Sequence, residues 1–374
     1  MNKNIFRCKN CVMVSTRPRL TFNNEGLCSA CVWSKEKKKI NWKKRIENLK
    51  ALLNKHKKIN KNNSYDCLVP VGGGKDGSYV AYNLKHKYKM RPLCITFVPS
   101  LILPIGEKNI KNFVNSGYEH VAISPDVNVM YEINKIGFEE YGFPYYGWMT
   151  ACHAGALRFA IDFNITLIVY GEDGELEYGG KSQTKKNPIY SAEYIKKILT
   201  EGHIDKILKK LSKKHRNNVK FFTYPTDKIL RSKKIEITHW SSYENWDPYR
   251  NYITAKKFCG LQESISNNLG TFTNFAQNDQ ALVALHTYIM YLKFGFGRAS
   301  ADAAIEVRRG AMDRKQAMNL VNLYDGIYPE EFLETYLKYF KISEKKFNSI
   351  LDRFANKKIF EKKNNRWILK KKIL

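Results

Sequence analysis

The sequence lacks the features that carry a chain into or across a membrane. No stretch approaches the roughly 18 consecutive apolar residues that a spanning helix needs. The first residues, MNKNIFRCKN, hold no apolar core of the kind found in secretory signals. From these two absences we expect a cytoplasmic protein that does not associate with membranes.

Acidic residues are scarce: 35 stand against 64 basic ones, giving a net charge of +29. One interpretation is a nucleic-acid or other polyanionic partner. The other, which we favour, is a lysine-rich composition, because Lys is far commoner than Arg and phosphate-reading surfaces recruit Arg at least as readily. We therefore do not expect a nucleic-acid partner, although an anionic substrate would be attracted in either case.

Cysteines are rare after residue 31, where only four occur, each of them alone in the sequence. The first 31 residues hold two Cys-x2-Cys pairs, Cys8 with Cys11 and Cys28 with Cys31. In a reducing compartment this spacing is typical of a zinc ribbon, with four thiolates around one structural zinc ion. An iron–sulfur cluster and a redox dithiol are the alternatives.

Strand and helix patterns alternate in the middle of the chain. Five short buried runs predict strands: YDCLVPV, RPLCITFV, HVAISP, ITLIVYGED and KIEITHW. Helical periods between them predict an α/β fold with a mostly parallel sheet covered on both faces. We divide the chain into a zinc ribbon (1–34), a basic linker helix (35–64), the α/β domain (65–260) and a C-terminal region (261–374).

We expect the C-terminal region to be helical from about Gln262. Its last segment, FEKKNNRWILKKKIL, fits either a small strand pair or a frayed end.

Three consecutive glycines, Gly72, Gly73 and Gly74, follow the first predicted strand. Glycines let backbone N–H groups turn towards an anion, and the helix that follows adds its partial positive charge. Lys75 supplies a charge for a polyphosphate, and Asp76 suits the magnesium ion that accompanies ATP. The loop therefore predicts an ATP site, with an ordinary glycine-rich turn as the alternative.

The segment VPVGGGKDGS resembles the SGGxDS loop of the PP-loop ATP pyrophosphatases, which include GMP synthetase, asparagine synthetase and the tRNA thiolases. The resemblance implies a parallel-sheet domain of the HUP-like, adenine nucleotide alpha hydrolase type that splits ATP between its α- and β-phosphates. The sequence departs from the pattern at Gly72 and Gly77, which stand in place of serines, while Ser78 lies one place further on. Two hydroxyl donors to phosphate are thereby lost.

Nearly the whole chain resembles the N-acetyl sugar amidotransferases of bacterial surface-glycan and flagellin-sugar synthesis, including those acting on pseudaminic-type sugars. The resemblance rests on the Cys-x2-Cys pairs, the glycine loop, YYGWMTACHAGAL, YGEDGELEYGG and the tail KFGFGRASADAAIEVRRGAMDRKQAMNLVNLYDG. The tail is the most specific of these, because other PP-loop branches lack it.

The resemblance implies that the enzyme uses ATP and Mg²⁺ to adenylate the oxygen of a sugar acetamido group, which ammonia then replaces to give an acetamidino group. The substrate would be an N-acetylated sugar or nucleotide-sugar. Ammonia would come from a separate glutaminase, because this chain has no N-terminal cysteine suited to glutamine hydrolysis.

A second acidic segment, beginning at Gly171, follows the fourth predicted strand. Because the carboxyl ends of parallel strands share one edge of the sheet, we expect Gly171 near the nucleotide and Glu172 in the reaction, as a magnesium ligand or in orienting ammonia. Asp173 is a further candidate for contact with the substrate. The alternative is a charged loop without a role in catalysis.

Four further residues are candidates from their types and neighbours. Arg298 could clamp an anionic group, and Trp148 could stack on a sugar or nucleotide, although core packing is equally consistent with Trp148. For Cys152 we favour a buried small residue over a reactive thiol. For His239 we favour a structural role over that of a general base.

Two other functions remain open. A tRNA thiolase would share the ATP chemistry but needs paired cysteines or a cluster at its active site, and the later cysteines here stand alone. A zinc-ribbon adaptor with a degenerate nucleotide loop would explain the missing serines, yet Lys75 and Asp76 are retained.

Overall fold

The computed structural model describes residues 5–364 and 366–373. A five-stranded parallel sheet in the order β3-β2-β1-β4-β5 forms its centre. Its strands are β1 (Cys67–Pro70), β2 (Pro92–Phe97), β3 (His120–Ile123), β4 (Leu167–Tyr170) and β5 (Glu236–His239). All five predicted strands are confirmed, as is the α/β class.

Helices cover both faces of this sheet and make up most of the C-terminal region. Up to β4 they are α1 (Ser29–Lys37), α2 (Trp42–Ile59), α3 (Lys75–Tyr82), α4 (Pro104–Asn115), α5 (Val127–Ile136) and α6 (Tyr146–Asp162). Between β4 and the end of the sheet region they are α7 (Gly174–Glu177), α8 (Ala192–Tyr194), α9 (Ile204–Lys210), α10 (Asp227–Ser232) and α11 (Pro248–Cys259). The C-terminal ones are α12 (Leu282–Phe294), α13 (Arg298–Arg309), α14 (Arg314–Tyr324), α15 (Leu333–Phe340) and α16 (Glu344–Phe354).

The strands are apolar on both faces because each face is buried in its own core. Leu68 and Ile168 belong to a core that includes residues of α5 and α6. The next residues along the same strands, Val69 and Val169, belong to a core that includes residues of α2 and α3. Alternate residues of a strand face opposite sides of the sheet, so such a sheet reads as continuous apolar runs.

The strand order places the candidate site. The chain adds β2 and β3 on one side of β1 and β4 and β5 on the other, so its winding reverses between β1 and β4. In open parallel sheets, ligands bind beyond the carboxyl ends of the strands at this point. The glycine loop follows β1 and Glu172 follows β4, so both lie there.

The basic segment predicted as one helix is two. The first helix, α1, ends at Lys37, and α2 starts anew at Trp42 because the side chain of Asn41 caps it, accepting a hydrogen bond from the backbone N–H of Lys44 at 3.0 Å. Leu49 and Leu53 form the buried stripe of α2.

The start of the helical tail was predicted too early, since residues 260–281 form an irregular loop and helix α12 begins only at Leu282. The loop is rich in Asn, Ser and Thr, whose side chains bond to the backbone in place of helical partners. For example, Asn267 donates to the carbonyl of Thr271 and Asn278 to that of Asn274, both at 3.0 Å.

The final segment forms an antiparallel strand pair, β6 (Phe360–Lys363) with β7 (Arg366–Leu369).

Among the described residues, no helix has the length and apolar character needed to cross a bilayer.

Candidate functional site

The glycine loop is shaped as an open cradle at the start of α3. A Cβ atom added at Gly72 or Gly74 would meet nothing within 4 Å, so both positions face empty space. Gly73 has a φ of +72°, and a Cβ there would lie 2.6 Å from the backbone of Asn109. Gly77 packs as closely, since its Cβ would approach the carbonyl oxygen of Pro70 to 2.9 Å. The cradle therefore depends on glycine for its backbone shape and its open front.

Lys75 and Asp76 form an ion pair at the first turn of α3. The other carboxylate oxygen of Asp76 accepts a hydrogen bond from the side-chain amide of Asn251 at 3.3 Å. Gly171 lies against the same aspartate, because a Cβ at Gly171 would come within 3.1 Å of the Asp76 Cβ. The ends of β1 and β4 thus converge on Asp76.

Glu172 shares this space with Asp76. Burial, together with the negative charge of Asp76, raises the pKa of Glu172 to about 7, although Lys75 and Arg298 oppose the shift. The carboxyl group therefore changes charge near neutral pH. A group with such a pKa can accept and return a proton under physiological conditions.

Residues of the C-terminal region lie opposite the glycine loop and Glu172. Arg298 is the first residue of α13 and forms an ion pair with Asp302, one turn later, at 2.8 Å. Asp302 in turn accepts a hydrogen bond from the hydroxyl of Thr271 at 2.7 Å. Nε of Arg298 is buried and has no partner among the described residues. A rigidly held guanidinium with a free N–H can bind an anion.

These walls enclose one cavity of about 380 Å³. Its size falls within the range of about 300–1,000 Å³ that is usual for small-molecule sites. The predicted site residues that line it are Gly72, Gly74, Lys75, Asp76, Gly77, Trp148, Glu172 and Arg298.

Two aromatic residues line the cavity beyond the end of β2. Trp148 is held by a hydrogen bond of 2.7 Å from its indole N–H to the carbonyl of Phe97, and Tyr145 packs edge-on against it. Tyr146, in contrast, is fully buried and bonds to the carbonyl of Thr200. Trp148 thus presents a partly exposed ring to the cavity.

We expected Asp173 to contact the substrate, but in the structure its carboxylate has a structural role. It is fully buried and caps α7, accepting hydrogen bonds from the backbone N–H groups of Glu175 and Leu176. Its second oxygen accepts from the hydroxyls of Thr184 and Tyr190. No oxygen of Asp173 is left for a substrate, and the residue does not line the cavity.

Ser78, Cys152 and His239 also lie outside the cavity wall. Ser78 is buried beneath the loop, and its hydroxyl has no partner among the described residues. Burial lowers the pKa of His239 to about 3, so this buried imidazole is neutral at pH 7. Cys152, which we predicted to be buried, is only partly buried, and desolvation raises the pKa of its thiol.

Sequence reasoning missed the part of the wall built by the irregular loop before α12. The loop contributes Thr273, Phe275, Gln277, Asn278 and Asp279. Its polar composition gave no motif to find. Asp302 was findable, because it stands four residues after Arg298 on one helix, where oppositely charged side chains meet.

The four N-terminal cysteines converge on one point, and all four are buried. The Sγ atoms of Cys8 and Cys31 lie 3.8 Å apart, and those of Cys11 and Cys28 lie 3.7 Å apart. A single ion with tetrahedral metal–sulfur bonds of about 2.3 Å sets sulfurs about 3.8 Å apart (2.3 × 1.63). The geometry fits one metal ion held by four thiolates, and the distances are too long for disulfides.

Residues of the C-terminal tail hold this cysteine centre. Arg314 donates hydrogen bonds of 3.2 and 3.3 Å to the carbonyls of Cys8 and Cys11. Arg308 lies with a guanidinium nitrogen 3.9 Å from the sulfur of Cys11 and donates to the carbonyl of Glu177 at 3.1 Å. Four thiolates around a divalent ion carry a net negative charge, which these arginines offset.

Comparison with family models matches residues 269–374 to the family described as "LPS biosynthesis protein WbpG-like, C-terminal domain". For this region, the match supports the resemblance to the surface-glycan sugar amidotransferases. The WbpG-like domain contains Arg298, Asp302 and most of the irregular loop, so it supplies one wall of the cavity.

No curated protein sequence matches the chain. Among solved structures, a predicted tRNA methyltransferase subunit from Methanocaldococcus jannaschii is similar, with 14% identity over 65% of this chain and 91% of that one and a TM-score of 0.29. The U34-tRNA thiolase NcsA from Methanococcus maripaludis, with its [4Fe–4S] cluster, has 14% identity over 86% of this chain and 89% of that one and a TM-score of 0.33. Scores this low carry no argument about function.

Proposed function

We propose that this protein is an ATP-dependent amidotransferase that converts the acetamido group of an N-acetylated sugar to an acetamidino group, releasing AMP and pyrophosphate. The sugar belongs to a bacterial lipopolysaccharide or flagellin and is carried on a nucleotide. One observation carries the proposal: the glycine cradle with Lys75 and Asp76 faces Arg298 of a WbpG-like domain across a single cavity.

The cavity supplies what this reaction needs. An amide oxygen is a poor leaving group, so it must first attack the α-phosphorus of ATP and displace pyrophosphate. The cradle and Lys75 suit the phosphates, and the guanidinium of Arg298 suits an anionic group of the nucleotide or sugar. Trp148 and Tyr145 offer flat surfaces for a sugar or base. Ammonia then attacks the activated carbon, and we propose that Glu172 accepts its proton.

Magnesium is the cation that fits the acidic side of the cavity. Asp76 and Glu172 lie close enough for the charge of one to raise the pKa of the other, a strain that a divalent cation would relieve. Asp76 would hold the ion through oxygen, the ligand type that magnesium prefers. When bound with ATP, the ion neutralises phosphate charge.

Zinc is the metal that we propose for the cysteine centre. Sulfur spacings of 3.7 and 3.8 Å fit one tetrahedral ion, whereas thiolates bound to different irons of a cluster stand further apart. Four thiolates leave no open position, so the ion is structural. We further propose that a separate glutaminase supplies the ammonia and that nucleic acid is not a partner.

A mass-resolved turnover assay tests the function. The purified protein is mixed with ATP, magnesium, ammonium and a panel of nucleotide-activated N-acetylated sugars. We expect a product in which NH replaces O, formed together with AMP and pyrophosphate. Asp76→Ala should abolish AMP formation, while the matched control Asp205→Ala, at an exposed surface site, should not.

Two outcomes would contradict this proposal. AMP that appears only with tRNA and a sulfur donor would identify a thiolase. Absence of AMP under all conditions, including with an added glutaminase, would favour an adaptor with an inactive loop.

A further inference from the structure

A second cavity, of about 260 Å³, lies beside the first. It opens between α1, the turn before α11 and the end of α13. Lys38, Asn245 and Arg309 on its wall are exposed, whereas Trp246 is buried. The cavity therefore runs inward from the surface.

The two cavities meet at shared walls. Glu172, Pro248 and Ile305 line both of them. These three side chains thus border both the second cavity and the space that faces the glycine cradle. The side chain of Glu172 therefore borders both the cavity at the glycine cradle and the second cavity.

The second cavity suits a small uncharged molecule. Four of its charged residues form ion pairs, Lys37 with Glu177 at 2.7 Å and Arg309 with Asp247 at 3.4 Å. Lys38 and Arg308 add positive charge, which disfavours ammonium relative to uncharged ammonia. At about 260 Å³ the cavity is smaller than typical sites for drug-sized ligands. Once ATP and a sugar fill the first cavity, a third reactant needs another path to the reacting carbon.

We infer that the second cavity is the route by which ammonia reaches the adenylated substrate, with Glu172 at its inner end. This inference rests on the proposed function and adds to it the path of the nucleophile. The nitrogen forms a bond to the imidate carbon, and Glu172 takes one of its protons. The bond from that carbon to the AMP oxygen then breaks, and AMP leaves with the electron pair.

A separate side route also bears on how ammonia competes with water for the activated carbon. Water that attacked the adenylated carbon would release AMP and regenerate the starting amide, so ATP would be consumed without product. A path separate from the open mouth of the first cavity admits ammonia while the substrates exclude bulk solvent. The ratio of acetamidino product to AMP therefore reports how well ammonia reaches the site.

Asn245 offers a place to narrow the route. It is exposed, and its side chain makes no hydrogen bond within the described part of the chain. We compare Asn245→Trp, which narrows the mouth, with Asn245→Ala, which does not. Each variant is assayed with ammonium over a range of concentrations, measuring acetamidino product, AMP and the KM values for ammonium and ATP.

We expect Asn245→Trp to raise the KM for ammonium about tenfold, with KM for ATP unchanged. At low ammonium the product-to-AMP ratio should fall while AMP formation continues, and high ammonium should restore it. Asn245→Ala should match the wild type.

An unchanged ammonium KM in Asn245→Trp would overturn the inference alone, as would an equal loss of AMP and product, which would indicate damage to the first cavity. A wild-type protein that forms no AMP with any sugar would overturn the proposed function, and the inference with it.

Discussion

The charged form of Glu172 opposes folding, although the proposed reaction needs this carboxylate. Its carboxyl group is held beside Asp76, and both burial and that neighbouring charge favour its neutral form. Asp279, across the cavity, is also affected, since burial raises its pKa to about 6. Keeping ionisable groups at such a site opposes folding, and active sites commonly carry this strain.

Replacing Glu172 by Gln should stabilise the protein at alkaline pH. The folded-state pKa of about 7 lies above the ordinary value of 4.5, so the folded state binds the proton more tightly. Stability attributable to this group is full below about pH 4.5 and is lost as pH rises to about 7. The gain at pH 8 should be about 1–3 kcal/mol, since solvent in the open cavity reduces the full shift.

Thermal unfolding at pH 5 and pH 8 checks this expectation. The difference between Glu172→Gln and the wild type should be large at pH 8 and small at pH 5, while turnover is lost. Glu140→Gln, at an exposed ion pair, is the control and should show no such pH dependence. Equal stability of Glu172→Gln and the wild type at pH 8 would mean that the surroundings do not disfavour the charged form of Glu172.

At the scale of elements, helix α13 joins the two centres of the molecule. Its first turns carry Arg298 and Asp302 at the cavity, and its last turn carries Arg308 at the cysteine centre. A helix of 12 residues is about 18 Å long, and its backbone hydrogen bonds make it rigid over that distance. Arg298 at the cavity and Arg308 at the cysteine centre therefore belong to one rigid element.

Arg308→Gln should weaken metal binding and the fold together. Removing the guanidinium leaves the thiolate charge less compensated, and loss of such an outer partner typically costs about 10–100-fold in metal affinity. Stability should fall by about 1.5–3 kcal/mol, the range for a hydrogen bond from a charged group. Metal release to a coloured chelator and thermal unfolding measure the two effects.

Arg309→Gln is the matched control for this experiment. Arg309 is the next residue of the same helix, but it is exposed and pairs with Glu306 at 2.7 Å. Its loss should change stability by less than about 1 kcal/mol and leave metal release unaltered. If both variants released metal at the same rate, Arg308 would have no special part in the centre.

At the scale of the whole molecule, the N-terminal metal knuckle (residues 5–34) packs against two other parts of the chain. Arg19 holds Glu175 through two hydrogen bonds of 2.7 and 3.0 Å, and Ser29 donates to the carbonyl of Gly179 at 2.5 Å. Arg7 donates to the hydroxyl of Ser300 on α13 at 3.1 Å. The knuckle thus contacts both the segment after β4 and the WbpG-like domain.

Removing the metal should therefore disturb the cavity at the glycine cradle as well as the N-terminus. A segment this small owes most of its folding free energy to the ion. We expect chelation to lower the melting temperature of the whole protein and to weaken ATP binding, measured by calorimetry without any turnover. Chelation that unfolds only the N-terminus and leaves ATP affinity intact would contradict this coupling.

Local pattern was sufficient for the elements of the fold. The five strands and their parallel direction follow from short apolar runs between helices, because strands buried on both faces must be apolar throughout. Their order in the sheet came only from the structure. The cysteine pairs and the glycine loop could also be recognised in the sequence, because the residues of each motif lie close together in the chain. Even so, Asn41 divides a segment predicted as a single helix, through a capping bond that composition does not reveal.

The sequence by itself determined the strands, the cysteine cluster and the glycine cradle, since these depend on local spacing and on the burial of continuous apolar runs. Only the tertiary structure decided which charged residues work together. It assigned Asp173 to a helix cap and set Arg298 opposite Lys75 and Asp76. The physical reason is that Arg298 stands more than two hundred residues from Lys75 and Asp76 in the sequence, so no local pattern encodes their approach. The partners of Asp173 are nearer, but Thr184 and Tyr190 reach it only through the folding of the chain after α7.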